Sequence, residues 1–305
     1  MPKRRKPSRD PGPQIREILR REVNFGCPVR YSDGAGCGSP ILTFHHFDPP
    51  WASCFEHDSE GMIALCPPHH LQADGDLWTK AQLREFKRNP YVDHRLKVRW
   101  PWQTETMVIK VGRSLVIGGG AALRFDGTPS LQFISTNIPG LEIRTALLTS
   151  EVRDRSKHPW IRVTDGWLDL RLEKTLDVQF APRTRTFIAK HADDTHLSLR
   201  FRRPTFEGFK KWLPTFWSDP PSLASVCQSI ESAAAIDSDG HLPLVMFEGE
   251  FTTDKVSVHV KGNELLFESL LPGMRERFAW KSHLVNRECR MVLAMGKGPE
   301  FFSLG

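Results

Sequence analysis

Most of the side chains that could bind a metal ion lie in one short stretch of this 305-residue chain. Between positions 27 and 70 fall four of the six cysteines and five of the twelve histidines, namely Cys27, Cys37, Cys54, Cys66, His45, His46, His57, His69 and His70. The N-terminus is basic and leads into no apolar leader, so we expect a soluble, cytoplasmic protein. In such a protein clustered Cys and His indicate a metal site more readily than disulfides.

The spacing of four of these residues predicts a structural zinc site. Cys66 and His69 lie one turn apart at the start of a predicted helix. Cys27 and Cys37 flank a glycine-rich turn that can bring the two sulfur atoms together. Four such ligands form the closed, tetrahedral Cys3His set that holds structural Zn²⁺. The alternative is that these are ordinary buried cysteines.

A second set of residues could form an open metal site. His70 and Asp74 are four positions apart on the predicted helix and therefore share one face. His45 and His46 are neighbours on a predicted strand, so their side chains point to opposite faces. One of these two histidines with His70 and Asp74 gives three ligands and leaves positions for water and a phosphate oxygen, as hydrolytic metal catalysis requires.

The stretch that carries these residues resembles the HNH endonucleases over about residues 15–90. The resemblance rests on the runs CPVRYSDGAGCG, LTFHHFDPPW and GMIALCPPHH, followed by Ala73 and Asp74. It implies a ββα-metal fold, in which a hairpin and a helix hold one divalent ion. It also implies hydrolysis of DNA phosphodiester bonds, with a role in restriction or anti-phage defence.

The resemblance also implies a role for each matched residue. His46 matches the general base, and His45 and His70 match ligands of the catalytic divalent ion, Mg²⁺ or Mn²⁺. Asp74 lies where some members have a further ligand of that ion. The zinc-bearing members place their structural zinc ligands at the positions of Cys27, Cys37, Cys66 and His69.

The match departs from the family at its middle position. Where the family usually has Asn, five residues before the cysteine, this chain has Gly61. That Asn commonly holds the hairpin loop or helps to orient the site. His57, Asp58 or Ser59 could substitute through their side chains, and His57 could be a further ligand or a phosphate contact. A solvated loop histidine is the alternative for His57.

The elements that must position this site follow from the apolar pattern. Residues 1–13 form a predicted flexible basic arm, and a helix with one apolar stripe runs from Gln14 to about Phe25. A hairpin is predicted within residues 27–50, where turn residues flank the run Ile41–Phe44. Two further helices are predicted, one from His69 and one from Thr79 to Arg88.

Beyond about residue 99 the pattern changes to short alternating or apolar runs separated by Gly, Asp and Pro, which predicts a mostly β region. The predicted fold class is therefore α+β. The predicted domains are a nuclease domain over 14–99 and a β-rich recognition or regulatory domain over 100–305. The second is divided by an aromatic linker near 205–221, and a helix is predicted over 222–236.

The charge of the chain points weakly to an anionic partner. Lys and Arg number 42 against 36 Asp and Glu, a net charge of +6. The surplus is concentrated in the arm and in residues 80–99, whose first basic residues are Lys80, Arg84, Lys87 and Arg88. A solvated helix face is one reading of that run. Beside a phosphodiesterase motif we favour contact with the DNA backbone.

Two classes of function remain open from the sequence. The first is a metal-dependent HNH-type endonuclease whose C-terminal half recognises a DNA target or docks a protein partner. The second is a non-catalytic zinc module that binds nucleic acid or a protein partner. No apolar run is long enough for a membrane helix, so we expect no membrane partner.

Overall fold

The computed structural model describes the backbone of residues 8–99, 144–164, 166–202 and 205–212 and of further strands between 108 and 304. Side chains are described within 8–99, 150–164, 166–200 and 205–212. The structure is mixed helix and sheet, mostly strands in the C-terminal part, which confirms the α+β class. The described parts contain no helix that is both long and apolar enough to span a membrane.

Two compact units make up the chain. The first contains residues 1–98 together with 169–182 and 187–192, and the second contains 99–168, 183–186 and 193–305. No sequence pattern indicated that residues 169–182 would join the N-terminal unit. The candidate metal ligands all lie in the first unit.

Four helices, a 3₁₀ turn and three strands form the N-terminal part of the chain. In chain order the elements are α1 Pro13–Glu22, β1 Thr43–His46, α2 Trp51–Cys54, a 3₁₀ turn Ser59–Gly61, β2 Met62–Leu65, α3 Pro67–Asp74, α4 Lys80–Arg88 and β3 Arg95–Arg99. The predicted helices from His69 and over 79–88 are confirmed. Helix α1 ends at Glu22 instead of near Phe25, because Asn24 and Phe25 adopt left-handed backbone angles of 52° and 61° in φ.

The strand that carries His45 and His46 pairs differently from the prediction. Strand β1 is antiparallel to β2, with His45 opposite Ile63 and His46 opposite Met62. The sequence predicted that the run Ile41–Phe44 would pair within residues 27–50. That prediction is wrong, because the strand that contains Thr43 and Phe44 pairs with β2 instead. Strand β2 is buried along its whole length, so its pairing edge is satisfied inside the core by β1.

One apolar core holds these elements together. Its largest fully buried side chains are Leu19 on α1 and Met62, Ile63 and Leu65 on β2. Burying a side chain of this size contributes about 1.5–3 kcal/mol each. Leu83 of α4 and Ala73 of α3 join the same cluster. The core thus anchors the strand and the helix that carry the candidate ligands.

The segment 169–182 is fastened to α1 by a buried ion pair. This segment carries the end of β10 (Trp167–Arg171) and all of β11 (Thr175–Ala181), and β12 (Thr186–His191) follows it. The guanidinium of Arg20 donates two hydrogen bonds of 2.9 Å to the carboxylate of Asp177. Both side chains are at most one-tenth exposed. Such a bidentate pair fixes the orientation of both partners.

The second unit consists mainly of two groups of strands. The further elements of the chain are β4 Val108–Val111, β5 Ser114–Ile117, β6 Ala121–Phe125, β7 Thr128–Asn137, β8 Arg144–Arg153, β9 Pro159–Thr164, β13 His196–Arg202, α5 Phe206–Trp212, β14 Val245–Thr252, β15 Val256–Lys261, β16 Glu264–Ser269, β17 Arg277–Ala279, β18 Val285–Arg287, β19 Met291–Met295 and β20 Ser303–Leu304.

In one group β6, β7, β8 and β9 pair antiparallel in sequence, and β19 joins β6 in parallel. In the other, β13 to β17 pair antiparallel in sequence, and β4 joins β14 in parallel. Residues 206–212, at the start of the predicted linker near 205–221, form helix α5, and residues 213–221 lie outside the described residues. The helix predicted over 222–236 lies outside the described residues, apart from two isolated positions.

Candidate metal centres

The loop after α1 brings two cysteines side by side. Residues 27–39 fold back on themselves through backbone hydrogen bonds, from Cys27 N to Ser39 O at 2.9 Å and from Cys37 N to Val29 O at 3.0 Å. Gly36 is required in this loop, because a Cβ atom there would lie 2.1 Å from the ring of Tyr91. The glycine-rich turn therefore aligns the two sulfur atoms, as the sequence indicated.

Helix α3 supplies the other two residues of this cluster. Cys66 is its N-cap, and Pro67 and Pro68 occupy the first helical positions, where a missing N–H costs nothing. His69 follows in the first turn, and its Nδ1 lies 3.2 Å from the Sγ atoms of both Cys27 and Cys66. The helix start therefore directs one imidazole nitrogen at the sulfur atoms.

The four side chains form one compact ligand set. The ligand atoms of Cys27, Cys37, Cys66 and His69 all lie within 4.8 Å of one another. Cys37 Sγ and Cys66 Sγ are 3.7 Å apart. Tetrahedral Zn²⁺ with Zn–S bonds of about 2.3 Å separates two sulfur atoms by roughly 3.8 Å. The cluster can hold a metal ion such as zinc.

The electrostatics of the cluster favour a bound cation. Hydrogen bonds from the neighbouring thiols lower the pKa of Cys37, whereas the same hydrogen bonds, together with burial, raise the pKa of Cys27. The neighbouring thiols can therefore stabilise Cys37 as a thiolate. Ionisation of a second cysteine in the cluster needs a nearby positive charge. A divalent ion provides that charge. Tyr31, whose hydroxyl lies 3.2 Å from Nε2 of His69, supports the imidazole from outside the cluster.

A second group of side chains gathers His45 of β1 with His70 and Asp74 of α3. Nδ1 of His45 lies 3.1 Å from Oδ1 of Asp74, and Nε2 of His70 lies 3.7 Å from Oδ2. The two imidazole rings meet edge to face at 5.3 Å. Burial lowers the pKa of both histidines, so the neutral form that binds metals is favoured.

Thr43 fixes the tautomer of His70. Its hydroxyl donates to the carbonyl of Leu65 at 3.0 Å, so the same oxygen accepts a hydrogen bond from Nδ1 of His70 at 2.8 Å. Nε2 of His70 therefore carries a lone pair. That atom is buried and has no hydrogen-bond partner among the described residues. An orphaned acceptor beside an aspartate and a second imidazole fits a divalent cation.

His46 points away from this group, as the alternation of the strand requires. Its Nε2 lies 3.0 Å from Nδ1 of His57, and Nε2 of His57 donates to the carbonyl of Ser8 at 3.0 Å. When the His57 ring is neutral, its Nδ1 accepts, so His46 is then protonated at Nε2 and has its lone pair on Nδ1. Nδ1 of His46 is buried without a hydrogen-bond partner within the described part.

Trp51 completes the surroundings of His46. Its ring stacks on His57 with a centroid distance of 4.9 Å and lies 5.0 Å from the ring of His46. Burial, followed by the charge of His57, lowers the pKa of His46 to about 4. His46 is therefore uncharged at neutral pH and can accept a proton.

His57 and Asp58, two of the residues that the sequence offered as substitutes for the missing Asn, make different contacts. His57 contacts His46 as described above. Asp58 instead caps the 3₁₀ turn, where its side chain accepts a hydrogen bond of 3.1 Å from the backbone of Glu60.

Gly61 is buried against the backbone of the preceding loop. Its carbonyl accepts hydrogen bonds from Phe47 N at 2.9 Å and Asp48 N at 3.1 Å. A Cβ atom at this position would lie 1.9 Å from the carbonyl oxygen of Asp48. The backbone thus holds the loop itself, and the close approach leaves no space for a side chain.

The basic side chains of α4 are already engaged with acidic or carbonyl groups. Lys80 lies 2.7 Å from Asp48 and Arg84 contacts the same carboxylate, whereas Lys87 lies 3.1 Å from Glu22 and contacts the carbonyl of Ser59. Arg88 remains largely exposed, 4.0 Å from Glu85. These contacts dock α4 on the loop after β1.

Three residues beside the second group or His46 were not identified from the sequence as site residues: Thr43, Trp51 and Arg9, which contacts Asp74. Thr43 carries a usable signal, because it is two positions before His45 and therefore on the same face of the strand. Arg9 belongs to the predicted arm and carried no such signal. Comparison of the chain with family models, curated proteins and solved structures found no match.

Proposed function

We propose that this chain is a metal-dependent endonuclease of the HNH type that hydrolyses DNA phosphodiester bonds. The observation that carries the proposal is the convergence of His45, His70 and Asp74 around the orphaned Nε2 of His70. The neighbouring His46 presents an unprotonated nitrogen on the other face of the same strand. A hydrolytic site needs both a cation-binding group and a base.

The order of the elements supports the same proposal. Strands β1 and β2 form an antiparallel pair, and α3 follows β2 directly and packs against β1. The Cys3His cluster lies at the start of that helix and would tie it to the loop over 27–39 with a zinc ion. This matches the ββα-metal arrangement that the resemblance implies.

The proposed chemistry assigns a task to each residue. His45, His70 and Asp74 would hold the divalent cation, which when bound polarises the phosphoryl oxygen and stabilises the leaving 3′ oxygen. Nδ1 of His46 takes a proton from water, and the water oxygen forms a bond to phosphorus as the bond to the 3′ oxygen breaks. His57 keeps His46 in the required tautomer. Two imidazole ligands favour a transition-metal ion over Mg²⁺.

The wider role is also part of the proposal. By analogy with the family, the activity belongs to restriction or anti-phage defence, and the strand-rich second unit recognises a DNA target or a protein partner. The competing function is a zinc module that binds nucleic acid or protein without cleaving it. Both functions predict bound zinc, so zinc content does not separate them.

A plasmid-nicking assay separates the two functions. The purified full-length chain is incubated with supercoiled plasmid and Mg²⁺, Mn²⁺ or Co²⁺, with and without EDTA. We expect nicking that requires the added metal and is lost in His46→Ala, while that variant keeps its zinc and its fold. His94→Ala, which alters an exposed histidine far along the chain from the site, should cleave normally. Absence of nicking by the unaltered protein, or equal nicking by His46→Ala, would contradict the proposal.

A further inference from the structure

The segment just before α1 lies across the second group of ligands. The carbonyl of Ser8 accepts a hydrogen bond from His57, and the guanidinium of Arg9 lies 3.3 Å from Oδ1 of Asp74. Asp10 accepts a hydrogen bond of 3.4 Å from Arg16, on the first turns of α1. Three consecutive residues of the arm therefore contact this part of the unit.

The guanidinium of Arg9 contacts Oδ1 of Asp74, a carboxylate oxygen that a metal ion could bind. Oδ1 of Asp74 faces both the guanidinium of Arg9 and Nδ1 of His45, the closest ligand contact in the group. A divalent ion bound to Asp74 would repel the guanidinium at this distance, so the two cations compete for one carboxylate.

We propose that Arg9 binds Asp74 in the metal-free protein and is transferred to a phosphodiester group of the substrate when a divalent cation takes Asp74. The inference rests on the proposed function, because that function supplies both the cation and the phosphodiester. It adds a substrate-contacting residue and couples its release to metal binding.

The surroundings of Arg9 favour a phosphate as its second partner. Arg9 borders an open cavity of about 460 Å³ whose lining includes Arg16, Thr43, His70 and Asp74. The contacts of Ser8 and Asp10 hold the backbone on both sides of Arg9, so a released guanidinium stays at this cavity. Its planar fork of N–H donors matches two phosphate oxygens. Lys80, Arg84 and Lys87 are instead paired with acidic side chains.

Metal binding tests the first half of the proposal without any catalysis. Zinc-loaded full-length protein, freed of other metals, is titrated with Mn²⁺ by calorimetry. Arg9→Ala should bind Mn²⁺ about twofold to fivefold more tightly than the unaltered chain, because an exposed ion pair no longer competes. Arg171→Ala removes the same charge from an exposed position and should leave the affinity unchanged. Equal affinity in Arg9→Ala and the unaltered chain would overturn the competition for Asp74.

Phosphodiester binding tests the second half. With Mn²⁺ bound, broadening of the phosphorus resonance of diethyl phosphate reports its approach to the metal. Arg9→Ala should reduce this binding, and it should lower kcat/KM for bis(4-nitrophenyl) phosphate by about 10- to 100-fold, as expected for a lost charged hydrogen bond. Arg9→Lys should retain part of the diethyl phosphate binding and part of the kcat/KM.

The outcomes separate the contact from the proposed function. Equal phosphodiester binding in Arg9→Ala and the unaltered chain would overturn the contact. Faster cleavage by Arg9→Ala would also overturn it, since Arg9 would then only obstruct the site. A protein that binds diethyl phosphate through Arg9 but cleaves no phosphodiester would contradict the proposed function and support the contact.

Discussion

The hydroxyl of Thr43 and Nδ1 of His70 lie 2.8 Å apart, and the hydroxyl proton is committed to the carbonyl of Leu65. His70 must therefore donate to Thr43, which leaves the lone pair of Nε2 facing Asp74. A strand residue thus determines which nitrogen a helix residue offers to a cation. Partners of this kind fix both the ring orientation and the tautomer of ligating histidines.

Replacing Thr43 should weaken binding of the divalent cation without removing zinc. Thr43→Val leaves the Nδ1 hydrogen of His70 without an acceptor, so we expect Mn²⁺ affinity to fall by about 10- to 100-fold. Thr43→Ser keeps the hydroxyl and should bind nearly as the unaltered chain does. Calorimetric titration with Mn²⁺ checks both variants. Equal affinity in Thr43→Val would show that Thr43 does not control His70.

The Cys3His cluster should contribute directly to stability. Cys66 is buried, caps α3 and lies 3.2 Å from His69, so Cys66→Ala removes a ligand from the centre of the cluster. We expect loss of bound zinc and a large drop in melting temperature, because zinc-binding energy is also folding energy.

Cys54→Ala is the matched control for this change. Cys54 lies on the short helix α2 and belongs to neither ligand group. Its replacement should leave both the zinc content, measured by atomic emission, and the melting temperature unchanged. A Cys66→Ala protein that keeps one zinc ion per chain would contradict the assignment of the cluster.

Local spacing predicted the ligand groups better than it predicted their surroundings. Cys66 and His69, like His70 and Asp74, lie within one or two turns of a single helix, so helix geometry alone places them together. The pairing of β1 with β2 joins residues about twenty positions apart, and alternation along β1 cannot identify its partner.

Contacts across longer separations left no signal in the sequence. Arg20 meets Asp177 at a separation of 157 positions, and Arg9 meets Asp74 at a separation of 65. Each depends on how the whole unit folds, and a single Arg or Asp at a surface-like position fits many alternatives. Gly61 likewise looked like a departure from a motif, whereas its role is a close backbone approach that only the three-dimensional structure reveals.

Placing at position 61 the Asn that HNH endonucleases usually have should destabilise this chain. A Cβ atom there would lie 1.9 Å from the carbonyl oxygen of Asp48, and backbone atoms cannot yield as a flexible side chain can. We expect both Gly61→Ala and Gly61→Asn to lower the free energy of unfolding by about 1–3 kcal/mol or more. Urea unfolding of the zinc-loaded protein measures this change.

Gly75→Ala serves as the control for the Gly61 variants. Gly75 is the C-cap of α3 with a φ of −89°, and a Cβ atom there would meet no atom closer than 3.5 Å. The urea midpoint of the Gly75→Ala variant should remain near that of the unaltered chain. If Gly61→Asn were as stable as Gly75→Ala, the backbone approach at position 61 would not be a constraint.

The lowered pKa of His46 should appear in the pH dependence of stability. Burial, followed by the charge of His57, brings that pKa to about 4. An imidazole in the unfolded chain titrates near 6.5. Between these values the unfolded chain binds a proton that the folded chain does not, so the contribution of His46 to stability is complete above about 6.5 and is lost as pH falls toward 4.

Comparison with His46→Gln isolates this contribution. Protonation of the zinc and metal ligands affects both proteins alike, so it cancels in the difference between their free energies of unfolding. Urea unfolding at several pH values between 7.5 and 4.5 should show that the unaltered chain loses more stability than His46→Gln as the pH falls. Parallel curves would mean that the folded chain accommodates a charged imidazole at position 46, and His46 would then be too well solvated to keep the neutral form that a general base requires.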